Sequence, residues 1–270
     1  MKDDKKFTVL DFMRKKECGK KITMLTAYDY PMASLIDNAG IDSVLVGDSL
    51  GMVVLGREST VSVTMDEMIH HAKAVRLGVK RAFLIGDMPF MSYQASDEDA
   101  VRAAGRFVKE AGCDAVKIEG GYEVCARASA VIAAGIPVLG HIGLTPQSVS
   151  KLGGYRVQGK DAASAARLIE DAKHLASAGC FSVILECVPK MLAKKIADKL
   201  NIPVIGIGAG VGCDGQVLVT YDMIGYFDKF VPKFVKQYAD ISGTISEAIR
   251  KFKMEIESGD FPDDKHSFTS

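Results

Sequence analysis

The chain has 270 residues, of which 48% are apolar, and its 34 Lys and Arg balance 34 Asp and Glu. Zero formal charge, no tryptophan and no basic run interleaved with aromatics leave no electrostatic draw toward nucleic acid or anionic lipid. The longest apolar stretches, residues 131–140 and 202–212, are cut by Gly and Pro and fall short of the roughly 18 residues a membrane span requires.

The start, MKDDKKFTVLDFM, lacks the apolar run and small-residue cleavage site of a secretory signal. The six cysteines (Cys18, Cys113, Cys125, Cys180, Cys187 and Cys213) form no CxxC pair, so they read as reduced thiols in a cytoplasmic protein. Cys113 and Cys180 precede strand-like runs and read as small buried hydrophobes.

Three segments repeat one pattern: NAGIDSVLVGD (38–48), EAGCDAVKIEG (110–120) and SAGCFSVILEC (177–187). In each, a Gly ends a helical pattern and a short β-branched run follows, which predicts an αβ junction with a left-handed Gly at the helix end. Further apolar runs at 22–26, 82–86, 136–140, 202–207 and 217–220 bring the predicted strands to eight. Between them lie helical patterns. Thr64 and Glu67 resemble a capping box, as do Ser96 and Asp99. After Ser96, Ala100, Ala103, Ala104, Phe107, Val108 and Ala111 follow one helix face. Pro189 suits the first turn of another helix. Strict alternation over a length near the roughly 250 residues of a TIM barrel predicts one (β/α)8 domain over 1–270, with an open doubly wound sheet as the alternative. An N-terminal helix would precede the barrel. Beyond about Asp222 the pattern becomes a charged helical extension ending in DDKHSFTS.

In a parallel barrel the chemistry gathers at the C-terminal ends of the strands. Asp48 follows strand 2, Asp87 strand 3 and Glu186 strand 6, while Lys117 and Glu119 lie two apart on one face of strand 4. Four carboxylates on one rim call for a cation, and an all-oxygen set suits Mg²⁺ over Zn²⁺. Asp48 or Asp87 alone could equally cap a loop, and three acids at neighbouring strand ends favour a metal. Lys117 could hold a substrate carboxylate, form a Schiff base, or pair with Glu119. Glu186 could be a desolvated general base or the partner of Lys190. His141 reads as a satisfied loop histidine, and His70 and His71 as structural helix residues. The Gly-rich loops 47–56 and 143–159 follow strands 2 and 5. The second is long enough for a lid, with a subunit contact as the competing role. GIGAG (206–210) could cradle a phosphate or simply turn tightly.

Several blocks of sequence resemble one enzyme family. VGDSLGMVVLG (46–56), DMPFMSY (87–93), VKIEGG (116–121), GHIGLTPQSV (140–149), GGYRVQG (153–159), LECVP (185–189) and IGIGAGVGCDGQ (205–216) are similar to motifs of the ketopantoate hydroxymethyltransferases. TAYDYPMA (26–33) and VPKFVK (231–236) extend the resemblance over nearly the whole chain. It implies a TIM barrel of the phosphoenolpyruvate/pyruvate type. The implied reaction carries a one-carbon unit from 5,10-methylenetetrahydrofolate to 3-methyl-2-oxobutanoate through a Mg-stabilised enolate, giving 2-dehydropantoate and tetrahydrofolate on the way to pantothenate and coenzyme A. By the same resemblance Asp48, Asp87 and Glu119 form the Mg²⁺ site, and Asp48, Ser49, Asp87 and Lys117 contact the substrate. Ser49 and Lys117 would hold its carboxylate, Glu186 would accept the proton, and the chain would form a homo-oligomer, a decamer. Two rivals remain. A lyase of the same superfamily would need a cysteine loop at the rim, whereas the only similar string, KKECGK (15–20), precedes the first strand. A binding protein without turnover would have no use for a base at Glu186.

Overall fold

The computed structural model describes residues 5–227 and 231–268, so residues 1–4, 228–230 and 269–270 of the expected 1–270 domain lie outside the described residues. Two compact units divide between Val219 and Thr220.

The first unit carries the strands β1 (Ile22–Thr26), β2 (Ser43–Val46), β3 (Phe83–Asp87), β4 (Ala115–Glu119), β5 (Val138–Gly143), β6 (Ser182–Glu186), β7 (Val204–Ile207) and β8 (Gly215–Leu218). They pair in parallel in chain order, and β8 returns to β1 from Ile22↔Gly215 to Leu25↔Leu218. This closure selects the (β/α)8 barrel over the open sheet. Around it lie α1 (Val9–Glu17), α2 (Tyr30–Asn38), α3 (Leu50–Val53), α4 (Met65–Gly78), α5 (Asp97–Ala111), α6 (Cys125–Ala133), α7 (Val149–Leu152), α8 (Ala162–Ser177) and α9 (Lys190–Lys199).

Local signals in the sequence account for several boundaries. Gly40, Gly112 and Gly179 take φ of 83°, 67° and 98°, the left-handed turn that each repeat predicts at its helix end. Thr64 and Glu67 make the full reciprocal box. Ser96 makes half of one: its hydroxyl accepts from Asp99 N–H, but it donates to the Asp99 carboxylate, which leaves the reciprocal backbone bond unmade. Pro189 stands one position before α9, as its N-cap. Valines 44, 116, 138, 183 and 204 on the strands are fully buried, as the β-branched runs require. Gly86 lets α5 approach closely, because a Cβ there would lie 2.2 Å from the Phe107 ring.

The N-terminal end of the barrel is sealed from below. Phe12 of α1 is fully buried, with its ring 5.4 Å from that of Phe83 and 5.1 Å from that of Phe181, in edge-on geometry. Aspartates before the strands anchor the same end. Asp42 accepts from Thr23 N–H and pairs with Lys15, and Asp214 accepts from Val204 N–H and pairs with Lys16. The KKECGK string therefore belongs to the structural plug, away from the catalytic mouth of a parallel barrel. All six cysteines are free, and Cys113 and Cys180 are buried.

The second unit contains α10 (Thr220–Met223) and α11 (Ile241–Ser258). Asp240 caps α11 by accepting from Gly243 N–H, and Gly259 ends it at φ 80°. Among the described residues, no helix is long and apolar enough to cross a membrane.

Candidate active site

Strand register brings the site together. Asp87, the last residue of β3, is the partner of Lys117 in β4; Glu119 of β4 is the partner of His141 in β5; Gly143 of β5 is the partner of Glu186, the last residue of β6. Registered partners in parallel strands share a face, and side chains alternate along each strand, so all five side chains enter the lumen together. Asp48, two residues beyond β2, joins them through its backbone N–H, which donates to Asp87 Oδ2 at 3.0 Å.

Lys117, only 3% exposed, stands at the centre. Its Nζ lies 2.9 Å from Asp87 Oδ1, 3.0 Å from Glu119 Oε1 and 3.1 Å from His141 Nδ1. His141 turns its Nε2 toward Glu186 Oε2 at 3.3 Å. Both readings of Glu119 thus meet here: it pairs with Lys117, and it belongs to an acid cluster. Among the described residues Glu186 makes no ion pair with Lys190; its partner is His141. Ser49, half-buried, shares a 2.8 Å hydrogen bond with the Tyr28 hydroxyl.

The electrostatics follow from burying several charges in one pocket. Burial, and then the neighbouring Asp87 and Glu119, push Asp48 well above the usual carboxylate range. Burial also raises Asp87, against the pull of Lys117. Glu119 is raised by burial, yet Lys117 and His141 bring it down to about 2. Burial and Lys117 push His141 down, but Glu119 and Glu186 outweigh them and lift it to about 9. Lys117 is held well above its ordinary value because Asp87, Glu119 and Asp48 together overcome its desolvation.

This arrangement fits a divalent cation in its chemistry. Four carboxyl groups, those of Asp48, Asp87, Glu119 and Glu186, meet two basic side chains, Lys117 and His141, so acids outnumber bases in the pocket. Two buried polar atoms of the cluster, Asp87 Oδ1 and His141 Nε2, have no hydrogen bond despite their close ion-pair neighbours. Asp48, Asp87 and Glu119 offer the oxygen donors a hard ion prefers. As they stand, the acids are engaged by Lys117 and its neighbours. Among the described residues, no group of three or more His, Cys, Asp and Glu side chains is arranged to hold a metal ion. Cation entry would therefore require Asp87 and Glu119 to turn from Lys117.

A profile of the ketopantoate hydroxymethyltransferases matches residues 6–264. The chain belongs to the ketopantoate hydroxymethyltransferase family. It is 58% identical to the 3-methyl-2-oxobutanoate hydroxymethyltransferase of Carboxydothermus hydrogenoformans, over 97% of this chain and 95% of that protein. The same figures hold for the enzyme of Syntrophus aciditrophicus. Among solved structures it resembles phosphoenolpyruvate phosphomutase from Streptomyces platensis subsp. rosaceus, at 15% identity and a TM-score of 0.63, over 93% of this chain and 88% of the other. A 2,3-dimethylmalate lyase of the PEP mutase/isocitrate lyase superfamily matches at 16% identity and a TM-score of 0.60, over 96% and 91%. These two likenesses concern the fold alone, a (β/α)8 barrel.

Within this ketopantoate hydroxymethyltransferase fold, three polar residues joined to the cluster escape a reading of the sequence. His141 is no loop histidine: β5 runs on to Gly143, so His141 is a buried strand residue facing the lumen. Its alternation with Leu139 and Gly143 was the available signal. Gln147 and Tyr93 sit in loops, within the blocks 140–149 and 87–93 that carry the family resemblance, where no strand periodicity directs a side chain at the site. Gln147 reaches Asp48 Oδ2 at 3.0 Å, and the Tyr93 hydroxyl accepts from Glu119 N–H at 3.1 Å. Two non-glycine residues in left-handed backbone, Met91 at φ 67° and Cys187 at φ 50°, follow the acid-bearing ends of β3 and β6. Such conformations cost on the order of 1–3 kcal/mol and gather at functional sites. Within GIGAG, Gly208 and Gly210 take φ of 63° and 82°, as a tight turn requires, and a Cβ on Gly210 would lie 2.6 Å from the Lys190 side chain. Loop 143–159 folds into a 3-10 turn (Pro146–Ser148) and α7, and its Tyr155 hydroxyl lies 3.8 Å from Met52 Sδ.

Proposed function

We propose that the chain is a 3-methyl-2-oxobutanoate hydroxymethyltransferase, that its donor is 5,10-methylenetetrahydrofolate, and that it works with Mg²⁺. The observation that carries this reading is the register-built cluster in which Lys117 contacts Asp87, Glu119 and His141 within 3.1 Å while His141 reaches Glu186. Membership of the family supplies the substrate.

Asp48, Asp87 and Glu119 would hold Mg²⁺, which when bound supplies Lewis-acid polarisation of the oxo acid's keto group, worth several kcal/mol as charge develops there. Lys117 and Ser49 orient the substrate carboxylate, with Asp48 and Asp87 lining the same face. Glu186 accepts the hydrogen on C3 as a proton at its carboxylate, and His141 Nε2 keeps Oε2 aimed. The enolate carbon bonds to the folate's methylene carbon, both methylene–nitrogen bonds break, water provides the hydroxyl oxygen, and the proton held by Glu186 and one from that water return to the two folate nitrogens. The products are 2-dehydropantoate and tetrahydrofolate, on the route to pantothenate. Loop 143–159 is suited to cover the mouth and keep bulk water from the enolate.

We assign the reaction to the cytoplasm, in keeping with six free cysteines. Self-association to a homo-oligomer, a decamer by family resemblance, is supported by α11, where Ile249 and Phe252 are 62% and 56% exposed.

The test is formation of 2-dehydropantoate from the two substrates with and without Mg²⁺, alongside C3 hydrogen exchange measured without folate. Glu186→Gln lowers exchange by about 10²–10⁴-fold, the usual worth of a general base, and leaves oxo-acid affinity within a few-fold. Normal exchange in that variant refutes the base; absence of exchange in the parent chain refutes turnover.

A further inference from the structure

Gln147 is neutral, 5% exposed and seated in the 3-10 turn Pro146–Ser148 of the loop after β5. Every polar atom it owns except its carbonyl is directed at or around the acid cluster. The side-chain nitrogen donates to Asp48 Oδ2 at 3.0 Å and to the Met88 carbonyl at 2.9 Å. The side-chain oxygen accepts from the Tyr93 hydroxyl at 2.8 Å and from Gln94 Nε2 at 3.2 Å. The backbone N–H donates to Glu119 Oε2 at 3.1 Å.

These partners determine how the amide points. Reversing it would set its oxygen against the Asp48 carboxylate and the Met88 carbonyl, and its NH₂ against the Gln94 donor. One residue thus grips an acid from the β2 end and another from β4, and it stands 99 positions from Asp48 in the chain. The Tyr93 hydroxyl completes the bracket, since it also accepts from Glu119 N–H. The amide spreads no further negative charge into a pocket already crowded with carboxylates, whereas a Glu at this position would.

We infer that Gln147 is a positioning residue: by holding Asp48 Oδ2 and Glu119 Oε2 from one turn of the post-β5 loop, it sets how tightly the acid cluster takes a divalent cation. The inference rests on the Mg²⁺ reading above. Groups that orient ligands from behind typically contribute about 10–100-fold to metal affinity.

The experiment uses Mn²⁺ alone as the probe, with bound and free ion separated by electron paramagnetic resonance on the full chain, and thermal unfolding recorded beside it. Gln147→Met, which keeps the shape and loses the donors, is expected to weaken the Mn²⁺ Kd by about 10–100-fold. Tyr93→Phe, which loosens the bracket without removing Gln147, weakens it less. Mn²⁺ affinity equal to the parent's in a folded Gln147→Met variant overturns the inference. If that variant fails to fold, Tyr93→Phe carries the test, and unchanged affinity there overturns it. A parent chain that takes up no Mn²⁺ refutes the metal reading itself, and the role of Gln147 falls with it.

Discussion

Replacing Lys117 by Met removes a cation that Asp87 and Glu119 share while keeping most of the side chain's length. At an effective dielectric of about 20, a unit charge pair near 3 Å attracts by roughly 5.5 kcal/mol. Two such contacts exist, at 2.9 and 3.0 Å, with the lysine side chain 4% exposed and both carboxylates 2%. Desolvating the ammonium offsets several kcal/mol of this sum, and breaking a buried pair from one side costs about 3–5 kcal/mol net. For a chain of this size that lowers Tm by about 6–20 °C. Saturating Mg²⁺ should raise the Tm of Lys117→Met by more than it raises the parent's, because the ion restores positive charge to the same acids. Scanning calorimetry with and without Mg²⁺, with oxo-acid binding by titration calorimetry, reads both effects. A variant within about 1 kcal/mol of the parent, with unchanged oxo-acid affinity, would show that Lys117 neither balances the acids nor holds the substrate.

Further predictions follow from groups outside the cluster. Glu67 accepts from Thr64 N–H at 2.8 Å and from Arg57 Nη1 at 3.0 Å, and chiefly the Arg57 bonds hold it down at about 2 against an ordinary 4.5. A depressed carboxylate stabilises the fold above its unfolded value, and the contribution fades as pH falls from about 4.5 through about 2. The Tm gap between the parent and Glu67→Gln should therefore be steady at neutral pH and close across that window; a gap independent of pH would contradict the pairing. Burial pushes the Cys113 and Cys180 thiols up to about 12, whereas Cys18 is exposed. An aromatic disulfide reagent at mildly alkaline pH should label Cys18 quickly in the native protein and reach Cys113 and Cys180 only after denaturation. Early labelling of Cys113, seen by peptide mapping, would refute their burial.

The sequence alone determined the order of strands and helices, because its signals are local. Gly40, Gly112 and Gly179 mark helix ends by a backbone conformation other residues avoid, Thr64 and Glu67 mark a start, and β-branched runs mark strands covered on both faces. It also placed Asp48, Asp87, Lys117, Glu119 and Glu186 at strand ends, since a side chain's position along its own strand needs no knowledge of the neighbours. Pairing was different. Closure through Ile22↔Gly215, the meeting of Asp87 with Lys117 and of Glu119 with His141, and the reach of Gln147 to Asp48 depend on which strands lie side by side and in what register. A shift of one residue in β5 would turn His141 from the lumen to the helices. The β5 boundary, three residues beyond its apolar run, was settled by hydrogen bonding to β6, where Gly143 meets Glu186. Tertiary structure therefore decided which polar groups share the pocket, and with them the direction in which burial and neighbouring charge shift each one.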